Sequence, residues 1–193
     1  SRKDRQTRNL TARLKTAFHD EDDDHPMLAM PYDRAHFTTD SRQLLVADRY
    51  DVHLLSVDGK DSRCLTRGTG RRDSLQYRYV NLQRPDDIEG VNLKQPIWLQ
   101  MFNYRDKTQG YATTDLRANL HVVDAGPHSY GALTTADSAP VCLYKKGDFA
   151  HPMDLYMRAD TTLRLSFINP QQQDYRWGTV ELHRWKAFDG TPL

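Results

Sequence analysis

Apolar positions in this chain come in short runs broken by turn residues, with no long helical period. Gln43-Leu44-Leu45-Val46-Ala47-Asp48 and Asp51-Val52-His53-Leu54-Leu55-Ser56-Val57 read as two strands, the second closed by Asp58-Gly59. Such a dipeptide signals a tight turn, because glycine supplies positive φ without steric cost. His36–Arg42 leads into this block, and Cys64-Leu65-Thr66 ends it before a Gly68-Thr69-Gly70 loop. The pattern recurs. Ile97–Phe102, Gly110–Thr113 and His121–Val123 are strands, with a polar turn around Asp106–Gln109. A third round has Val141–Tyr144, a turn at Lys145–Asp148, then Asp154–Met157 and Leu163–Ser166. Thr11–Phe18 is the one short helix candidate, and Tyr111–Leu120 is ambiguous.

The expected class is all-β. A loose repeat of about 40 to 60 residues lies in the range of four-stranded propeller blades. The pattern therefore predicts a partial β-propeller of about three such antiparallel blades. A β-sandwich is the competing architecture, since it also shows short, evenly spaced strands. The Leu-Thr pairs at Leu10-Thr11, Leu65-Thr66 and Leu133-Thr134 favour blades, as repeated unit closures. Asn9-Leu10-Thr11 reads as a strand end, although it also fits an N-glycosylation acceptor.

Thr179–Phe188 reads as a strand running into an Asp189-Gly190 hairpin turn, after which only Thr191, Pro192 and Leu193 follow. That predicts a propeller domain over 1–182 and, over 183–193, the beginning of a junction to a further domain.

Composition narrows the function classes. Lys+Arg is 27 against Asp+Glu 26, a net charge of +1, which gives no case for nucleic acid or a membrane surface as partner. Apolar runs such as Leu44–Ala47 are too short to span a bilayer, and no signal peptide is visible. Aromatics at 10% argue for a folded core. Cys64 and Cys142 have neither CxxC nor zinc-type spacing and read as buried free thiols, with a disulfide open as the alternative if the chain is exported. No cofactor is indicated. Trp98, Trp177 and Trp185 sit in strand-like runs and read as packing residues.

Several segments resemble one bacterial branch of the prolyl oligopeptidase family. Phe37-Thr38-Thr39-Asp40-Ser41-Arg42-Gln43-Leu44-Leu45-Val46 is similar to the blade-opening pattern F-S-P-D-G-K-x-L-x-V/I that these enzymes share with TolB-like propellers. Asp48-Arg49-Tyr50-Asp51-Val52-His53-Leu54 resembles D-x-Y-D-I/V-W-x-I/L. Cys64–Arg72 with Tyr77-Arg78-Tyr79 resembles N-L-T-x-G-x-G-R-K/R followed by F/Y-R-Y. Asn169–Leu182 is similar to N-P-Q-Q-x-x-Y/F-x-W-G-T/S-x-E-L, and Trp185–Gly190 to the run leading into an α/β-hydrolase domain. His53 stands where the family has tryptophan, Thr39 and Ser41 replace Pro and Gly, and Arg84–Asn92 matches loosely. The resemblance implies a non-catalytic propeller that gates and orients peptide substrates for a C-terminal serine peptidase domain, in a periplasmic or exported bacterial protein, with a cytoplasmic place still open. The rival from a different class is a TolB-like protein-binding module without enzymatic activity.

The chain carries no G-x-S-x-G nucleophile elbow. Gly68-Thr69-Gly70 followed by Arg71 and Arg72 lacks the third glycine and the apolar run of a phosphate-binding helix, so the arginines are expected to pair with carboxylates. His19-Asp20-Glu21-Asp22-Asp23-Asp24-His25 does not follow calcium-loop spacing and reads as a solvated loop, with no metal expected. As a gating hypothesis, Asp22, Asp23 and Asp24 attract a peptide's amino terminus, with Arg71 and Arg72 as further channel-lining charges. Open sheet edges predict strand pairing between copies, hence a homo-oligomer.

Overall fold

The structure is a computed structural model, and it describes residues 7–82 and 90–193. Most of the loosely matching stretch Arg84–Asn92 lies outside the described residues. The fold is all-β. It comprises three four-stranded antiparallel sheets, each a meander in chain order. The first holds β1 (His36–Phe37), β2 (Gln43–Ala47), β3 (Val52–Ser56) and β4 (Ser62–Cys64). A one-turn helix, α1 (Thr69–Asp73), leads to the second: β5 (Leu75–Tyr79), β6 (Ile97–Asn103), β7 (Gln109–Thr114) and β8 (His121–Gly126). The third holds β9 (Ser129–Thr135), β10 (Cys142–Gly147), β11 (Asp154–Arg158) and β12 (Thr162–Arg164). The chain divides into two compact units, Ser1–Gly126 with the first two sheets and Pro127–Leu193 with the third.

Short strands need tight turns, and here an aspartate supplies most of them. Asp40, Asp48, Asp58, Asp106, Asp115 and Asp148 each accept the backbone N–H two residues on, which closes the turn through the side chain. Ser41, where the family pattern has glycine, takes positive φ at 56°. Gly59 takes the same region in the Asp58-Gly59 turn, at 72°.

In the first unit the two sheets share one core. Leu45, Ala47, Val52 and Leu54 from the first pack with Tyr77, Ile97, Leu99, Met101 and Ala112 from the second. Leu65 and Thr66 are fully buried between them. The Thr114 hydroxyl donates to the Leu65 carbonyl at 2.8 Å, tying the linker to β7. In the second unit, Tyr144 is buried between Tyr130 and Tyr156, with centroids 5.9 and 6.1 Å away. Buried Asp154 accepts from Arg164, Ser166 and the Ile168 N–H.

Several expectations are corrected. Asn9–Thr11 ends no strand, since the Asn9 side chain accepts the Thr11 N–H and a turn follows rather than a helix over Thr11–Phe18. β10 runs on to Gly147, so the third turn starts later than Lys145 and is capped by Asp148. β5 and β9 are additional strands. Thr179–Phe188 forms no strand. Instead Trp185 and Leu193 exchange two backbone hydrogen bonds, and Gly190 turns at φ 85°, so the three residues after the turn do serve as a return segment. Trp177 and Trp185 are exposed rather than packed in a core. Both cysteines are free, with Cys142 buried and Cys64 half-buried. Among the described residues no helix is long and apolar enough to cross a membrane.

Candidate functional site

The β2–β3 turn organises a dense polar cluster in the first unit. Asp48 and Asp51 are both buried at its ends. One Asp48 oxygen accepts the N–H groups of Tyr50 and Asp51, at 2.8 and 2.7 Å. Its other oxygen accepts the Thr16 hydroxyl at 2.8 Å and lies 3.2 Å from His53 Nε2. Burial pushes the Asp48 carboxyl up, but His53, the two N–H groups and Thr16 outweigh it and hold it well below the usual carboxylate range. Asp51 reaches the next segment. It accepts the Thr66 hydroxyl at 2.6 Å and the N–H groups of Gly70 and Arg71, each at 3.0 Å.

That clasp requires glycine at position 70. A Cβ there would stand 2.7 Å from the Leu75 carbonyl and 2.8 Å from both Asp51 Oδ1 and the Tyr50 carbonyl. It also aims Arg71. Its guanidinium donates to Thr16 Oγ1 at 2.9 Å, lies 3.5 Å from Glu21, and sits 5.3 Å from the Tyr50 ring centre. Arg49, from the turn itself, forms a two-point pair with Asp22, at 2.9 and 2.5 Å. The acidic loop is thereby fastened to the sheet by two arginines. Tyr32 braces it from the other end, its hydroxyl accepting the Glu21 N–H at 2.7 Å.

Arg78 on β5 completes the cluster. Its guanidinium donates to the Tyr77 and Arg49 carbonyls at 2.8 and 3.1 Å and lies 5.8 Å from the Tyr32 ring centre. Tyr104 stacks edge-on against Tyr50 with centroids 5.8 Å apart.

Of the five residues singled out from sequence, Asp22 and Arg71 enter this cluster. Asp23 binds the His25 ring at 2.6 Å, and Asp24 projects into solvent. Arg72 stays outside, pairing with its neighbour Asp73. Both arginines thus pair with carboxylates. Thr16, Glu21, Asp48, Arg49 and Arg78 escaped the sequence reading as site residues. The one available signal was Asp48 and Asp51 at i and i+3 around a turn. Asp23, Asp24 and His25 bring ligand atoms within 4.8 Å of one another, the one such group among the described residues. Asp24 and His25 are exposed, and Asp23 is already committed to His25, so the arrangement does not define a metal centre.

The Thr16 hydroxyl donates a hydrogen bond to Asp48, whose depressed carboxyl is a weak base. Among the described residues no serine or threonine hydroxyl donates to a histidine ring, the pairing of a serine-type nucleophile with its base. Compared with known proteins, the chain matches no family model and no curated protein.

Proposed function

We propose that this chain is a propeller portion of a prolyl oligopeptidase-like serine peptidase, gating and orienting peptides for a catalytic α/β-hydrolase domain. The observation that carries this is the succession of three four-stranded antiparallel meanders in chain order. Radial repetition of such sheets builds propeller blades around a channel. The positions of the family-like segments support this reading: the opening pattern spans β1 to β2, and the Gly-rich run forms the clasp between two sheets. A narrow channel lined by side chains excludes folded proteins and admits short peptides.

A second feature supports an attached domain. Exposed apolar residues concentrate in the last stretch, including Phe167, Tyr175, Trp177, Val180, Trp185 and Phe188. Clustered apolar exposure marks a surface that another body covers. In this reading the hydrolase domain covers it, and the protein is exported, as many bacterial relatives of that family are.

The decisive experiment is kinetic. The protein carrying its downstream sequence should cleave short peptides through a G-x-S-x-G serine, while the 193-residue chain alone shows background activity. Reversing the charge of Asp22, Asp23 and Asp24 should raise KM for short peptides with little change in kcat. A stop codon directly downstream would favour the TolB-like binding module. Robust cleavage by the chain alone, or unchanged KM, would count against the gating role.

A further inference from the structure

The three arginines of the cluster are not equivalent. Arg49 is neutralised by Asp22, and Arg71 faces Glu21 and Asp48. Arg78 is half-buried, yet among the described residues no carboxylate lies within 4.0 Å of it. A guanidinium has five N–H donors. Two of Arg78's go to backbone carbonyls and, among the described residues, three meet no acceptor; the guanidinium lies next to the Tyr32 ring. Burying a cation without a charged partner is costly. Burial accordingly pushes its pKa down, with Asp33 the largest opposing charge.

We infer that Arg78 is the carboxylate-recognising group of this site, taking the C-terminal carboxylate or an acidic side chain of a peptide beside Tyr32. The inference rests on the reading of the cluster as a peptide-facing surface, and it names the part of the peptide that is read. A planar fork of free donors matches a carboxylate in two-point geometry. Asp33 and Asp48 contribute opposing field at the same spot, so a monoanion suits the local charge better than a phosphate dianion. β5 is an edge strand of its sheet, and in a propeller an edge strand of each blade faces the channel.

The test is an NMR titration of the full chain, following the Arg78 Nε–Hε signal and the Tyr32 ring. The probes are N-acetyl-Ala-Ala-Ala with a free carboxylate, N-acetyl-Ala-Glu-Ala-amide, N-acetyl-Ala-Ala-Ala-amide and inorganic phosphate. At least one acid should bind about 10-fold or more tighter than the neutral amide, in line with a hydrogen-bonded charge. Which acid wins identifies the source of the carboxylate. Arg78→Gln should abolish the difference and Arg78→Lys weaken it about 10-fold, since lysine lacks the planar fork, while Arg72→Gln leaves it unchanged. If the Arg78 variants fail to fold, the acid-against-amide comparison on the unaltered chain decides alone. Equal binding of the amide, or preference for phosphate, overturns the inference. Acid-selective binding in a protein without peptidase activity would sink the peptidase reading and leave the Arg78 site standing. Peptidase activity with charge-blind binding would do the reverse.

Discussion

The Thr16 hydroxyl donates to the buried carboxylate of Asp48 at 2.8 Å, joining two segments 32 residues apart. Asp48 is also where the β2–β3 turn, His53 and Arg71 meet, so one carboxylate ties the N-terminal loop to the first sheet. Asp48→Asn should therefore destabilise the chain by about 3 kcal/mol at neutral pH, the scale of removing one partner from a buried charged network. The folded-state pKa of Asp48 is depressed, so its contribution is complete above the unfolded value of 3.8 and is lost as pH falls through the lower folded value. Urea denaturation of both proteins should show the gap narrowing as pH drops below 3.8. A gap independent of pH would contradict the ionised network.

Asp58 tests the aspartate turns directly. The Ser56 hydroxyl, then the Lys60 N–H, pull its carboxyl down to about 2. A carboxyl-carbon NMR titration should place its midpoint near there, and Ser56→Ala should move it up toward 3.8. No movement would mean that the hydroxyl contact is not formed in solution.

Gly70→Ala should break the clasp, because the added methyl meets two backbone carbonyls and the Asp51 carboxylate. Overpacking of this kind costs about 1–3 kcal/mol or more. Amide exchange should show position 70 and Arg71 losing protection, with the second unit unaffected. Unchanged protection would mean that the loop can move aside.

Leu99→Ala and Asp22→Ala should contrast sharply. Leu99 is fully buried between the first two sheets, so its truncation should cost about 2–5 kcal/mol. Asp22 is well exposed, and its pair with Arg49 should contribute under about 1 kcal/mol. Its loss should instead show as faster proteolysis within His19–His25 at unchanged global stability. A large loss of stability in Asp22→Ala would make the acidic loop part of the core structure.

Most strands were legible because their apolar runs are short and bounded by turn residues. β2, β3, β6 and β11 fall within a residue or two of expectation. β5 was legible but passed over: Leu75, Tyr77 and Tyr79 alternate with Gln76 and Arg78, the period of a half-buried strand, and that face is the one that packs on the core. β9 carries Gly131 and small residues, and its pairing with β10 is what makes it a strand. Thr179–Phe188 shows the opposite error. Its β-branched and aromatic residues suit a strand, yet β-propensity yields to context, and among the described residues it pairs only through the isolated Lys186–Pro192 bridge at its end.

Sequence alone determined the all-β class and the aspartate turns, since each turn is closed by a side chain and an N–H two residues away. Tertiary structure alone decided which charges are satisfied. Asp22 meets Arg49 and Glu21 meets Arg71 because separate loops converge on the β2–β3 turn. Among the described residues Arg78 is left without a carboxylate partner by the same convergence. Ion pairing and desolvation depend on distance through space, and a linear chain of residue types does not contain that distance until the sheets pack.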